Sequence, residues 1–139
     1  VSQASFSDLT VADIAAMDRQ RAAIQELAKA SLGHDGEIDL STLQLIVDAE
    51  VVAVGDTWRL QALGVCFGDA ISRIAPVCWR IIEDEWGRDP TLCWENSQVN
   101  FNALTILSKR IENGERPNVE EIARGLVNRG LELTDEHWR

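Results

Sequence analysis

Apolar positions repeat at helical spacing from the start of the chain: Ile14, Met17, Ile24 and Leu27 follow Thr10, whose partner three residues on, Asp13, completes a capping box, and Gly33 marks the end. The spacing predicts one amphipathic helix over 10–32. Gly33 and Gly36 loosen the next stretch. Ser41 can then cap a second helix carrying Leu43, Ile46, Val47 and Val51 and ending near Gly55. A third helix starts at Asp56 or Thr57, puts Leu60, Leu63, Phe67, Ile71 and Ile74 on one stripe, and stops at Pro76, because proline disfavours helical geometry in the residue before it. Its Gly64 and Gly68 lie on one face, where two missing side chains admit a neighbouring backbone or a bulky Trp. After Pro76 the period changes to two. Val77, Trp79 and Ile81 alternate with Cys78, Arg80 and Ile82 as a half-buried strand; Gly87 allows a turn, Leu92 and Trp94 a second strand, Val99 and Phe101 a third. Helical spacing returns through Leu104, Leu107 and Ile111 up to Gly114, and again from Asn118 through Val119, Ile122 and Leu126, with Gly125 and Gly130 weakening that last helix. The tail from Thr134 is polar apart from Trp138 and is expected to fray. Helices around one short run of strands predict an α+β fold: N-terminal helices, a small antiparallel meander of about three strands, then C-terminal helices.

A chain of 139 residues is long enough for one domain with a real core, so residues 1–139 read as a single unit. Thirteen Lys and Arg against 23 Asp and Glu leave a net charge of −10, which repels phosphate backbones and argues against a nucleic-acid partner. No apolar run is long enough to span a bilayer, and the first residues lack a basic segment followed by an apolar core, so neither a membrane nor a leader is expected. The three cysteines, Cys66, Cys78 and Cys93, form no CxxC motif and are odd in number, which fits a reducing cytoplasm rather than a disulfide framework.

Candidate chemistry is sparse. Asp35, Glu37 and Asp39 alternate as at the opening of a calcium loop, yet Leu40 stands where a glycine is needed and Ile46 where a bidentate Glu is needed, which leaves a solvated acidic loop. His34 and His137 are far apart and have no cysteine pair or HExxH to complete a zinc site, and nucleotide-binding and serine-nucleophile signatures are absent, so no cofactor is expected and the protein is read as no enzyme. The densest polar cluster is Glu83, Asp84, Glu85, Arg88 and Asp89, around Trp86 and Gly87. Two readings compete for it. In one, two of its carboxylates divide acid and base roles inside a cleft, aided by Lys109 or Arg110. In the other it is a structural turn with Gly87 left-handed, Arg88 bridging a neighbouring acid, Asp89 capping before Pro90 and Trp86 packed over it. Trp58, Trp79, Trp86, Trp94 and Trp138 read as core residues, and any two that stay exposed would mark a partner surface. Finally, no Lys or Arg occurs between Lys29 and Arg59, while Asp35, Glu37, Asp39, Asp48, Glu50 and Asp56 are all acidic. Such a block is either a solvated face or a patch that docks a basic protein.

The strings Leu63-Gly64-Val65-Cys66-Phe67-Gly68-Asp69-Ala70, Glu83-Asp84-Glu85-Trp86-Gly87-Arg88-Asp89 and Leu107-Ser108-Lys109-Arg110-Ile111-Glu112-Asn113-Gly114 occur in that order. Together they resemble a bacterial domain-of-unknown-function family of small acidic cytoplasmic proteins with LGxxxG, EDExGRD and SKRxExG blocks, over roughly residues 57–130. The resemblance singles out Gly64, Gly68, Asp69, Asp84, Gly87, Arg88, Asp89, Lys109 and Arg110. Small acidic α+β proteins of this kind are often immunity partners of secreted bacterial toxins. The expectation is therefore a cytoplasmic immunity-type protein that occludes a cognate toxin with a basic surface. Its contacts would be Asp35, Glu37, Asp39, Asp48, Glu50 and Asp56, or Glu83, Asp84, Glu85, Trp86 and Arg88. The alternative is a small enzyme or ligand-binding domain built on the carboxylates and Arg of 83–89. Oligomeric state stays open.

Overall fold

A computed structural model of the chain describes residues 4–137, with side chains as far as Asp135. Among them the order is β1 (Ser5–Ser7), α1 (Val11–Leu32), α2 (Leu40–Ala49), α3 (Thr57–Ser72), β2 (Val77–Asp84), β3 (Gly87–Trp94), β4 (Asn100–Phe101), α4 (Ala103–Glu112) and α5 (Val119–His137). The fold is α+β. The strands form one antiparallel sheet in the order β1-β2-β3-β4.

Local chemistry explains most of the boundaries. Thr10 Oγ1 accepts from the Asp13 backbone N–H at 3.1 Å while the Asp13 carboxylate takes the Thr10 N–H at 2.8 Å, which closes the capping box, and α1 ends on Gly33 at φ 64°. For α2 the cap is Asp39 rather than Ser41. Its Oδ1 accepts both the backbone N–H and the hydroxyl of Thr42 at 2.8 Å. The same helix ends at Ala49, short of Val51, because Glu50 turns left-handed at φ 52°. Asp56 caps α3, its Oδ1 accepting the Arg59 N–H at 3.1 Å. β1 was not predicted: a single apolar residue, Phe6, between two serines carries no period, and the strand exists because Ser5, Phe6 and Ser7 pair with Glu83, Ile82 and Ile81 of β2.

The core is built around α3, where every residue from Ala62 to Gly68 is buried. Phe67, Leu60, Leu63 and Ile71 are fully buried there, each adding about 1.5–3 kcal/mol of hydrophobic stabilisation. α1 and α4 pack on either side of this helix. α4 can come close because Gly64 has no side chain: a Cβ there would stand 2.6 Å from the Ala103 carbonyl oxygen. α5 runs on through Gly125 and Gly130 to His137, beyond the expected fraying point, and the indole of Trp94 fills the space left at Gly130. No helix among the described residues is long and apolar enough to cross a membrane.

Candidate functional site

β2 and β3 join through a two-residue turn, Glu85-Trp86, closed by Asp84 opposite Gly87. The Asp84 Oδ1 accepts the Trp86 N–H at 2.8 Å, and Gly87 takes φ 136°, a backbone region that side chains disfavour. The turn reading thus holds for Gly87 but not for its neighbours. Trp86 does not pack over the turn; it is 86% exposed. Arg88 reaches no acid of its own hairpin. Its guanidinium forms a two-pronged pair with Asp13 in the first turn of α1, at 2.9 and 2.8 Å. That pair, with the Thr10 N–H bond, holds the Asp13 carboxyl well below the usual carboxylate range and raises Arg88. Glu83, Glu85 and Asp89 are exposed and Asp84 is half-buried. The tip is therefore an outward tryptophan among four carboxylates whose one nearby guanidinium is held by another element. Val11 and Ile14, exposed on the first turn of α1, lie in the same segment as the Asp13 that Arg88 grips.

The acidic block of 35–56 does not fold into one bare patch. Asp35, Glu37 and Asp39 lie in the loop before α2, and Asp48, Glu50 and Asp56 at or beyond its other end, a helix length of about 15 Å away. Arginines distant in sequence return positive charge: Arg73 pairs with Glu37 at 2.9 Å and Arg116 with Glu50 at 3.0 Å. Asp56 binds Arg59 at 2.8 Å, a contact that lowers its pKa, and the Thr42 N–H lowers that of Asp39. Asp48 accepts from Gln44 at 3.1 Å, and Asp35 is exposed. Lys109 and Arg110 fall in the last turn of α4, where Arg110 donates to the Ile106 carbonyl at 3.0 Å. Cationic side chains there also complement the helix dipole.

A second polar cluster escaped the sequence reading. Asp69 on α3 grips Arg21 of α1 through both carboxylate oxygens, at 2.7 and 2.9 Å, and accepts the indole N–H of Trp79 at 3.0 Å. The ring of Trp79 lies directly over Gly68, where a Cβ would collide with it. Gly68 and Asp69 thus form one seat for Trp79: the glycine makes the space and the carboxylate fixes the ring. Arg21 is raised by this pairing with Asp69. Cys66, buried nearby, has its thiol pushed up to about 12 by burial and by the Asp69 charge. The adjacency of Gly68 and Asp69 was a visible signal, but their partner Trp79 lies on a strand that only tertiary folding brings near. Of the other tryptophans, Trp94 is buried and Trp58 is half exposed beneath the Arg59 guanidinium, while Trp138 lies outside the described residues.

Helices flanking an antiparallel sheet, with an acidic hairpin tip directed outward, define an α+β protein whose exposed chemistry is concentrated on one turn. The chain belongs to the family described as domain of unknown function (DUF3806), whose model matches residues 39–122. The match begins before the third helix, so it takes in α2, and it contains all three sequence blocks. A crystal structure of a protein from Bacteroides thetaiotaomicron VPI-5482, at 1.50 Å resolution, is similar in fold, with a TM-score of 0.80 and 15% identity over 91% of this chain. The chain spans 48% of the length of that protein. No curated protein matches the sequence.

Proposed function

We propose that this protein is an immunity-type protein of the bacterial cytoplasm that binds a cognate toxin with a basic surface and neutralises it by occlusion, without catalysis. The observation that carries this reading is the hairpin tip: Trp86 is 86% exposed and stands among Glu83, Asp84, Glu85 and Asp89. An outward tryptophan offers a large anchor for an apolar pocket, and carboxylates around it favour a cationic rim on the partner. The net charge of −10 adds long-range attraction for such a partner. A ligand or catalytic site on the same carboxylates would call for a cleft around them, whereas Glu83, Glu85 and Asp89 are exposed and Arg88 is engaged by Asp13. Docking is the reading these residues support.

The test pairs the purified chain with the protein encoded beside its gene. The expected result is an equimolar complex, weakened as salt rises, and rescue of cells that the partner alone kills. A neighbour that is harmless, or that forms no complex at low salt, overturns the proposal.

A further inference from the structure

Docking through Trp86 leaves a feature at the other end of the same hairpin without a role. The register of β2 and β3 sets Cys78 directly opposite Cys93. Opposed residues share a face of the sheet, so both thiols point away from the core side that Val77 and Trp79 occupy, with Arg80 the next residue of β2 on their face. Both cysteines are free. Cys78 is exposed, whereas Cys93 is 2% exposed and its S–H donates to the Ser97 carbonyl at 3.4 Å. The two line an open cleft of about 870 Å³ with Asp8, Arg80, Ser97 and Gln98. Arg80 brings an unused donor to it: its Nε is buried and finds no hydrogen-bond partner among the described residues, while Nη2 lies 3.8 Å from Asp8.

The backbone fixes how close the sulfurs can come. The Trp94 N–H bonds the Val99 carbonyl on one side of β3, and the Glu95 N–H bonds the Pro76 carbonyl on the other. By alternation, Cys93 turns its backbone toward Cys78, which makes them a hydrogen-bonded pair with Cα atoms about 5.5 Å apart. That lies inside the range of roughly 4.4–6.8 Å that a disulfide spans. The Cβ atoms of such pairs stand near the wide end of about 4.5–5.5 Å, against about 3.5–4.5 Å in a disulfide, so the bond must draw the strands together. A bond formed under that load is readily reduced.

We propose that Cys78 and Cys93 form a reversible redox modification site, oxidised by a hydroperoxide to an intrachain disulfide. The Cys78 thiolate attacks one peroxide oxygen, the O–O bond breaks, and the departing hydroxide takes a proton and leaves as water. Cys78 is then a sulfenic acid. The sulfur of Cys93 attacks that of Cys78, the S–O bond breaks, and the second hydroxide leaves as water with the proton of Cys93. Two thiols have lost two protons and two electrons, and one hydrogen peroxide has become two waters. Arg80 lines the same cleft and carries positive charge on this face of the sheet. Cys66, enclosed in the core, stays a thiol.

Hydrogen peroxide is added to the full chain, the protein is denatured, and its thiols are counted and mapped by mass spectrometry. The count falls from three to one, peptides containing Cys78 and Cys93 appear joined, and dithiothreitol restores all thiols. C66A behaves as the parent, and C78S keeps Cys93 unpaired. Retention of all the thiols, a bond that includes Cys66, a link between two chains, or overoxidation of Cys78 with Cys93 still free would each overturn the proposal. Mapping the unsubstituted chain decides the matter even where a variant fails to fold.

Discussion

Trp79 and Trp86 belong to the same β-hairpin and have opposite surroundings. Trp79, on β2, lies over Gly68, gives its indole N–H to Asp69 at 3.0 Å, and through Asp69 is tied to Arg21 on α1. Trp86, in the turn, has its backbone held by Asp84 and its ring in solvent. The first residue joins a helix layer to the sheet; removing it would open the interface between them. The second, 86% exposed, contributes little burial to the folded chain, and in the function proposed above its role is contact with a partner. On that proposal stability and recognition are separated along one hairpin, with the Arg88–Asp13 pair fixing the turn against α1.

Breaking the Trp79 seat should have the largest effect. Gly68→Leu puts a side chain where the Trp79 ring lies and is expected to remove about 3 kcal/mol of stability, read as a fall in the urea midpoint. Next comes Trp86→Ala, with urea unfolding changed by no more than about 0.5 kcal/mol and affinity for the proposed partner reduced by about 2 kcal/mol, roughly thirtyfold. A titration of the partner checks the affinity, and equal affinity for both forms would remove Trp86 from the interface. Asp69→Ala leaves the Arg21 fork and the Trp79 N–H without their acceptor and should cost about 1–3 kcal/mol, again in urea, with partner affinity unchanged.

The smallest effect concerns the tether. The folded pKa of Asp13 lies below its ordinary 3.8, so the unfolded chain takes up the proton first as pH falls. The Asp13 contribution to stability is therefore complete above the ordinary carboxylate range and is lost as pH drops through the depressed value. Arg88→Gln should be slightly less stable than the parent at pH 7, and the gap should close in strong acid. Urea midpoints of the two proteins across that range test it; a gap that widens in acid contradicts the assignment.

Helices were legible wherever a cap and a period coincide, as with Thr10 and Asp13 ahead of Ile14 and Met17. The room left by Gly64 and Gly68 was legible too. So was the kind of group that fills it, a neighbouring backbone or a Trp, while the particular residues, Ala103 and Trp79, arrive there only through tertiary packing. Ser41 was the cap read from the sequence, and the two Thr42 bonds that make Asp39 the cap are visible only in three dimensions. At the candidate site, the polar cluster and its Trp86 were found from sequence, but the acid that Arg88 grips lies at the start of the chain, beyond any local rule. Cys78 and Cys93 were readable in principle: with the turn placed at Glu85-Trp86, counting back along both strands sets them opposite each other. Starting the second strand at Leu92 hid that register.

The sheet's proportions carry one more consequence. Its two eight-residue strands, β2 and β3, are internal, and the outer positions are held by β1 with three residues and β4 with two. The stubs pair with Ile81, Ile82 and Glu83 of β2 and with Leu92 and Cys93 of β3, and such short outer strands are themselves a poor template for a foreign strand that would extend the sheet. Like charge between copies opposes the same encounter. Short edges and like charge both work against self-association of a molecule that leaves Trp86 uncovered.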